Sequence, residues 1–150
     1  MTVAETAPAY PELHRRVRAS FERQGMMVHL GAKLVRVAPR ECEIALPYSD
    51  RVTQQQLGFH GGAMGALADI AGGYAALTVA PEGMEVMTVE YKINFLASFQ
   101  GGSLHATGRV LRAGRRVIVT TAEVVHIDDT GNANDCAIMQ QTLVPVTRNY

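Results

Sequence analysis

The sequence predicts an α+β fold in which an antiparallel sheet of six strands wraps around one central helix. Six segments have the composition of strands and are separated by Gly, Pro or Asp turn residues. One further segment, rich in Gly and Ala, has the length of a helix, and burial must stabilise it because its intrinsic propensity is poor. The 150 residues are enough for one domain, over 1–150, with its own buried core.

A short helix is predicted first, from about Pro11 to Gln24, after a flexible tail over residues 1–9. Pro11 suits the first turn of a helix, and Gly25 suits the position just past its end. The predicted helix has one apolar stripe with a spacing of four residues: Leu13, Val17 and Phe21.

Two strands are predicted next, over residues 34–38 and 41–46, because apolar and polar side chains alternate there. The central helix is predicted from about Gly61 to Val79. Two-thirds of residues 62–76 are Gly or Ala, which predicts that a neighbouring backbone packs closely against this helix. Four more strands complete the sheet: about Val86–Ala97, Ser103–Leu111, Val117–Ile127 and Ala137–Val146.

Composition argues against several classes of partner. Lys plus Arg and Asp plus Glu number 14 each, so we expect neither nucleic acid nor an anionic membrane as a partner. Cys42 and Cys136 lack the spacing of a zinc site, which predicts two buried thiols and no metal. The N-terminal residues lack a secretory signal pattern, and the apolar stretch 57–80 carries Asp69 and several glycines. We therefore expect a cytoplasmic protein that needs no cofactor.

Asp69 is the most informative single residue. It is the only Asp, Glu, Lys or Arg between Arg51 and Glu82, and it lies in the middle of the predicted buried helix. Burial of an unpaired carboxylate is costly, so such a residue is either hydrogen-bonded for structural reasons or used in chemistry. Composition alone leaves both interpretations open.

The beginning of the same helix, His60-Gly61-Gly62, is a second candidate feature. The first N–H groups of a helix are free to bind negative charge, including the oxyanion of a reacting carbonyl. The simpler interpretation is a tight turn that leads into the helix. His60 and Asp69 are nine residues apart, which separates them by roughly 13 Å along one helix axis and places them on opposite sides. Either one of them is irrelevant, or the site is shared between two chains.

A third candidate is a group of arginines around a predicted hairpin turn at Ala113–Gly114. Several guanidinium groups on a turn can hold phosphates, although a solvated hairpin explains them equally well. The group contains Arg109, Arg112, Arg115 and Arg116.

Residues 53–62, with the sequence TQQQLGFHGG, are followed by Ala66-Leu67-Ala68-Asp69. This pattern resembles the hotdog-fold thioesterases of the phenylacetate-degradation (PaaI-like) type. Their signature is a polar amide residue, a short Gly-containing loop, His-Gly-Gly, and an acid seven residues later. Residues 88–95, TVEYKINF, resemble the strand after the helix in that family. The resemblance covers about residues 27–146 and implies the hotdog fold.

The resemblance also implies roles for individual residues. Asp69 matches the acid that serves as general base or nucleophile, and Gly61 matches the residue whose backbone N–H contacts the thioester carbonyl. Thr88 matches a hydroxyl that assists the attacking water. His60 matches a loop histidine whose role is more structural than chemical.

One match is ambiguous in register. Gln54 corresponds to the amide that places the carbonyl or the water, but the family more often has Asn there. Gly58 also lies one position closer to His60 than is usual in the family. Gln55 is therefore an alternative to Gln54.

The resemblance implies hydrolysis of acyl-CoA thioesters with an aromatic or medium-chain acyl group. It also implies a homodimer or a dimer of dimers with each site between subunits. Two alternatives are a hotdog hydratase or dehydratase and a non-catalytic acyl-CoA-binding sensor. The residues that we expect to contact the acyl group are Phe59, Met64, Tyr74 and Met87. Those that we expect to hold the CoA phosphates are Arg112, Arg115 and Arg116.

Overall fold

The computed structural model describes residues 7–150, which form three α-helices, one 3-10 turn and six strands. Of the tail predicted over residues 1–9, residues 1–6 lie outside the described residues, and residues 7–9 are exposed and belong to no helix or strand. The helices are α1 (Pro11–Phe21), α2 (Gly25–Leu30) and α3 (Gly61–Leu77), and the 3-10 turn is Asp50–Val52. The strands are β1 (Lys33–Ala38), β2 (Glu41–Pro47), β3 (Met84–Phe95), β4 (Ser103–Ala113), β5 (Ile118–Ile127) and β6 (Ala133–Thr147).

All six strands form one antiparallel sheet in the order β1-β2-β4-β5-β6-β3. Helix α3 packs against five of them, from β2 to β3 across the sheet, and is buried along most of its length. The predicted six-stranded sheet around one central helix, with a short helix before it, is confirmed.

Small residues allow the helix and the sheet to approach closely, as the Gly and Ala content of α3 predicts. A Cβ atom on Gly108 of β4 would lie 2.3 Å from the backbone carbonyl of Ala71 in α3. No side chain fits between two backbones at that distance. Gly108 is therefore required by the close approach of the two elements.

The N-terminal part differs from the prediction. Helix α1 ends at Phe21 instead of Gln24, because the backbone of Gln24 is extended (φ −80°, ψ 99°), and a second short helix begins at Gly25. Only Met27 of α2 is buried, so this helix has no repeating apolar stripe from which it could be predicted. Strand β6 begins at Ala133, earlier than the predicted Ala137, because backbone pairing with β5 extends through polar residues.

Both cysteines are buried and free, as predicted. Burial raises the pKa of the Cys42 thiol to about 12 and also raises the pKa of Cys136. No helix within residues 7–150 is long and apolar enough to cross a membrane.

Candidate active site

The carboxylate of Asp69 is held by one of its two oxygens. Thr88 Oγ1 and Gln141 Nε2 both donate hydrogen bonds to Asp69 Oδ1, each at 2.7 Å. The other oxygen, Oδ2, accepts no hydrogen bond from residues 7–150. Asp69 is half-buried on α3 and lines a cavity, so one carboxylate oxygen is fixed while the other is available for chemistry.

A buried polar pair lies beneath Asp69. Gln141 of β6 and Thr120 of β5 are both 0% exposed, and Thr120 Oγ1 donates to Gln141 Oε1 at 2.9 Å. Gln141 is absent from the residues predicted above. The available signal is alternation, because Ala137, Met139 and Leu143 of the same strand face the core and Gln141 shares their parity.

A β-bulge explains how Thr88 reaches Asp69. The register of β3 with β6 shifts between Thr88 and Glu90. Before the bulge Thr88 faces α3, and after it Tyr91 and Phe95 do. The Tyr91 hydroxyl lies 3.4 Å from where a Cβ on Gly65 would be, and Phe95 Cζ lies 3.3 Å from that position on Gly61. Regular alternation would place Thr88 and Tyr91 on opposite faces, so the bulge brings both onto the helix.

The cavity beside Asp69 has a volume of about 90 Å³ and combines apolar and polar walls. Ile70, Val86 and Leu143 supply apolar surface. The Tyr74 hydroxyl is fixed by two residues of the N-terminal region: it accepts from Gln24 Nε2 at 2.7 Å and pairs with Ser20 Oγ at 3.1 Å. Burial raises the pKa of Tyr74 to about 12, so its hydroxyl stays neutral at physiological pH.

The N-terminus of α3 has one free backbone donor. His60 is the N-cap, and its Nδ1 accepts from Gly62 N–H at 2.7 Å. Its carbonyl accepts from Ala63 and Met64. The Gly61 N–H has no acceptor among the residues that the structure describes. His60 therefore organises the helix start and leaves Gly61 N–H, at the positive end of the helix dipole, for a ligand oxygen.

The Gln54 side chain is used within its own loop. Its Oε1 accepts from the Gln56 N–H, and its backbone N–H donates to the Gly58 carbonyl at 2.9 Å. Leu57 adopts a positive φ of 68° to close this turn. Gln54 is half-buried and Gln55 is exposed, so the two predicted amides differ in environment.

Comparison with known proteins decides the family. Residues 59–133, half of the chain, match the model of the "Thioesterase superfamily". The chain belongs to this superfamily. A Saccharolobus solfataricus protein whose name proposes an esterase activity is 36% identical over 99 residues, which are 66% of this chain and 70% of that protein.

Solved structures of the superfamily share the fold. A thioesterase family protein from Silicibacter pomeroyi is 34% identical and superposes with a TM-score of 0.86, covering 91% of this chain and 99% of that one. The PaaI protein from the phenylacetic acid degradation operon of E. coli has a TM-score of 0.79, with coverage of 90% and 94%. At 20% identity, the second likeness shows the fold alone. The six-stranded sheet around α3 is thus the hotdog fold.

Of the predicted phosphate-binding arginines, Arg115 and Arg116 lie on the turn between β4 and β5, and Arg112 lies at the end of β4 that leads into it. Arg112, Arg115 and Arg116 are exposed and form no ion pair within residues 7–150. Ile118 pairs with Leu143, which in turn pairs with Thr88, so this turn lies at the level of Thr88, two strands away, or about 10 Å. Arg109 is instead engaged on the sheet by Glu41 and Glu123.

The four predicted acyl-contacting residues are not brought together within one chain. Tyr74 lines the cavity beside Asp69. Phe59 is 1% exposed and packs edge-on against Tyr48 and His126, and Met64 is 3% exposed in the core. Met87 is 54% exposed and follows Val86, which lines the cavity, so it points to the other side of β3.

Proposed function

We propose that the protein hydrolyses acyl-CoA thioesters, with Asp69 as the catalytic carboxylate. The observation that carries the proposal is the state of this carboxylate: Oδ1 is fixed by Thr88 and Gln141, while Oδ2 is free in a residue that lines a cavity. Membership of the thioesterase superfamily supports thioester hydrolysis as the reaction. Two buried free thiols fit a reducing compartment, which supports a cytoplasmic location.

The reaction needs a nucleophile and a site for the oxyanion. In one route, Asp69 Oδ2 takes a proton from water as the water oxygen attacks the thioester carbon. In the other, Oδ2 attacks that carbon itself, and water then hydrolyses the resulting anhydride. In the first route the C–S bond breaks and the proton that Asp69 took from water passes to the leaving CoA sulfur. In the second route CoA leaves as the thiolate, and hydrolysis of the anhydride by water restores the Asp69 carboxylate and releases the acid and the proton that the thiolate takes up. The Gly61 N–H stabilises the negative charge that develops on the carbonyl oxygen.

One chain does not bring these two groups to one carbonyl. Gly61 and Asp69 are eight residues apart on α3, which corresponds to about 12 Å along the helix axis. A thioester carbonyl requires its oxyanion donor and its nucleophile within roughly 3 Å of neighbouring atoms. The site therefore combines Asp69 with the partner's Gly61.

The free edge of β3 supports this arrangement. Strand β3 pairs only with β6, so its other edge is unpaired within residues 7–150. Met87, Val89 and Phe95 on this strand are each more than half exposed, which is unusual for an edge strand that faces water.

Pairing of two β3 edges would also place the groups correctly. Phe95 contacts Gly61 at one end of β3, and Thr88 contacts Asp69 nearer the other. An antiparallel pair with its twofold axis near Tyr91 would bring the Phe95 end of one chain beside the Thr88 end of its partner. The partner's Gly61 would then lie next to Asp69, and a twofold dimer would contain two such sites.

Different residues bind the CoA moiety and the acyl group. Arg112 at the end of β4, with Arg115 and Arg116 on the turn that follows, binds the phosphates of CoA. The acyl group, aromatic or medium-chain, occupies the cavity that Tyr74 lines. Gln54, or Gln55, helps to place the carbonyl or the water.

A panel of acyl-CoAs tests the reaction. A thiol-reactive dye measures the release of CoA, and calorimetry measures binding to the same compounds. We expect thiol release that is first order in enzyme for at least one aryl- or medium-chain acyl-CoA. Binding without thiol release would favour the acyl-CoA sensor, and addition of water to an enoyl-CoA without thiol release would favour the hydratase.

Mixed dimers test the shared site. Asp69→Asn and Gly61→Pro are unfolded together in equal amounts and refolded, with mixing confirmed by mass. In a shared-site dimer, one site of each mixed pair carries both lesions and the other carries neither. Half of the dimers are mixed and half of their sites are intact, so activity should recover to roughly a quarter of wild type. A mixture no more active than its parents would place both groups in one chain's own site.

A further inference from the structure

Gln141 is a polar side chain on the face of β6 that otherwise buries apolar side chains. It is 0% exposed, and its neighbours of the same parity on β6 are Met139 and Leu143. A buried amide without partners is costly, so its hydrogen bonds must offset its desolvation. Within residues 7–150, all hydrogen bonds of its side chain go either to Asp69 and Thr88 or to Thr120.

The bonds of Gln141 fix the direction of its amide. Thr120 Oγ1 donates to Oε1 at 2.9 Å, which leaves the NH2 group directed at Asp69. Nε2 donates to Asp69 Oδ1 at 2.7 Å and lies 3.2 Å from Thr88 Oγ1. An ionised carboxylate can only accept, so the reverse orientation would place Gln141 Oε1 against another acceptor.

Gly72 of α3 provides the space for this amide. A Cβ on Gly72 would lie 1.8 Å from Gln141 Oε1 and 2.7 Å from Thr120 Oγ1. The neighbouring Gly73 has no such restriction, because its Cβ would meet only Leu143 Cδ2 at 3.9 Å. The helix thus has a glycine directly above the amide, at a site where any side chain would displace Gln141.

We propose that Gln141, held by Thr120, is a positioning residue that fixes the orientation of the Asp69 carboxylate for catalysis. This inference rests on the proposed function of Asp69. With one donor, the carboxylate is free to rotate about the bond that joins it to Cβ. With two donors converging on Oδ1 from β3 and β6, its plane is fixed and Oδ2 is left in one place. The Gln141 side chain does not contact the substrate.

The first test replaces the amide with an apolar side chain of similar length. Gln141→Met should lower kcat about 10- to 100-fold, because the nucleophile or base is no longer held in place. KM should change less than about threefold, since no substrate contact is removed. Gln140→Met is the matched control, because Gln140 is exposed on the opposite face of β6. The control should retain wild-type kcat.

A second variant distinguishes a loss of kcat from a loss of stability. Gln141→Met leaves the Thr120 hydroxyl buried without its acceptor, whereas Thr120→Val with Gln141→Met removes both partners together. The double variant should unfold at a higher temperature than the single one and still lack the kcat that Gln141 supports. Recovery of kcat together with stability would overturn the proposal.

Gln141→Glu gives a readout that a purely structural role would not change. It places a second carboxyl group at hydrogen-bond distance from Asp69, and such a pair holds a shared proton to higher pH than either group alone. The acidic limb of the kcat/KM profile should move up by about one pH unit or more. The other titratable side chains that line this cavity are Tyr74 of α3 and Glu85 of β3. Ser20 of α1 and Gln24, which directly precedes α2, also line it and do not titrate.

The outcomes separate this proposal from the proposed function. A wild-type enzyme that hydrolyses acyl-CoA, together with a Gln141→Met variant of unchanged kcat, would overturn the role of Gln141 alone. If the wild-type protein hydrolyses no thioester, the proposed function fails. Crystal structures of wild type and Gln141→Met then decide whether Gln141 orients Asp69. A carboxylate that keeps the same orientation in Gln141→Met would contradict the proposal, and a rotated or disordered one would support it.

Discussion

The backbone N–H of Gly61 can be removed without removing any hydrogen bond of the fold. Gly61 is the first residue of α3, and its N–H has no acceptor within residues 7–150. Proline is well tolerated at this position of a helix. The preceding residue, His60, has φ −67° and ψ 135°, which is the conformation that a following proline favours. Gly61→Pro therefore tests the proposed oxyanion donor with little expected change in stability.

Gly61→Ala is the control that isolates the donor. Both variants add a Cβ at 3.3 Å from Phe95 Cζ, so any effect of this contact is common to the two. Loss of one oxyanion donor typically lowers kcat by about 10²–10³, or roughly 3–4 kcal/mol. We expect Gly61→Pro to fall below Gly61→Ala by that factor.

The assay compares kcat and KM of the two variants on one acyl-CoA, with melting temperatures at equal protein concentration. The two melting temperatures should differ by no more than about 4 °C, which corresponds to roughly 1 kcal/mol for a chain of this size. Equal kcat in the two variants, with both folded, would remove the Gly61 N–H from the mechanism.

Three further predictions concern the phosphates, the helix contact and the thiols. Arg115→Glu with Arg116→Glu should raise KM for acyl-CoA roughly tenfold with kcat nearly unchanged, and should not affect a truncated thioester without the nucleotide. An equal loss on both substrates would assign the arginines to the fold instead. Gly108→Ala meets the Ala71 backbone at 2.3 Å, whereas Gly73→Ala meets one methyl group at 3.9 Å. The melting temperature of Gly108→Ala should be roughly 5–10 °C lower than that of Gly73→Ala, and equal melting temperatures would contradict the close approach of α3 and β4. Because the pKa of Cys42 is raised to about 12 and that of Cys136 is also raised, both thiols stay protonated at pH 8. They should react with a thiol dye only after unfolding, and fast reaction of the native protein would contradict their burial.

The sequence was sufficient for features that depend on local composition. Gly and Ala content predicts both the central helix and its close packing, and strand-like composition between turn residues locates all six strands to within a few residues. Helix α2 could not be predicted in this way, because it buries one residue, Met27, and has no repeating apolar stripe. The beginning of β6 at Ala133 could not be predicted either, because backbone pairing with β5, and not a side-chain pattern, sets that boundary.

The site is harder to predict because its contacts are distant in sequence. Asp69 and Gly61 stand out locally, by isolated charge and by the His-Gly-Gly pattern. The contact between Thr88 and Asp69 depends on a bulge after Thr88, and a shift of one residue would turn that hydroxyl to the other face. The placement of Gln141 depends on the register of β6 and on the space that Gly72 leaves for its amide. Phe59, Met64 and Met87 are apolar residues near the motifs, but which side of its element each one faces is decided by tertiary packing.

The central claim is that Asp69 carries thioester hydrolysis, and Asp69→Asn tests it most directly. The asparagine amide oxygen can still accept the hydrogen bonds of Thr88 and Gln141, so the fold should persist with a melting temperature within a few degrees of wild type. The variant has neither a base nor a nucleophile at this position, so kcat for CoA release should fall about 10²–10⁴-fold. A folded Asp69→Asn variant that releases CoA at nearly the wild-type kcat would contradict the claim.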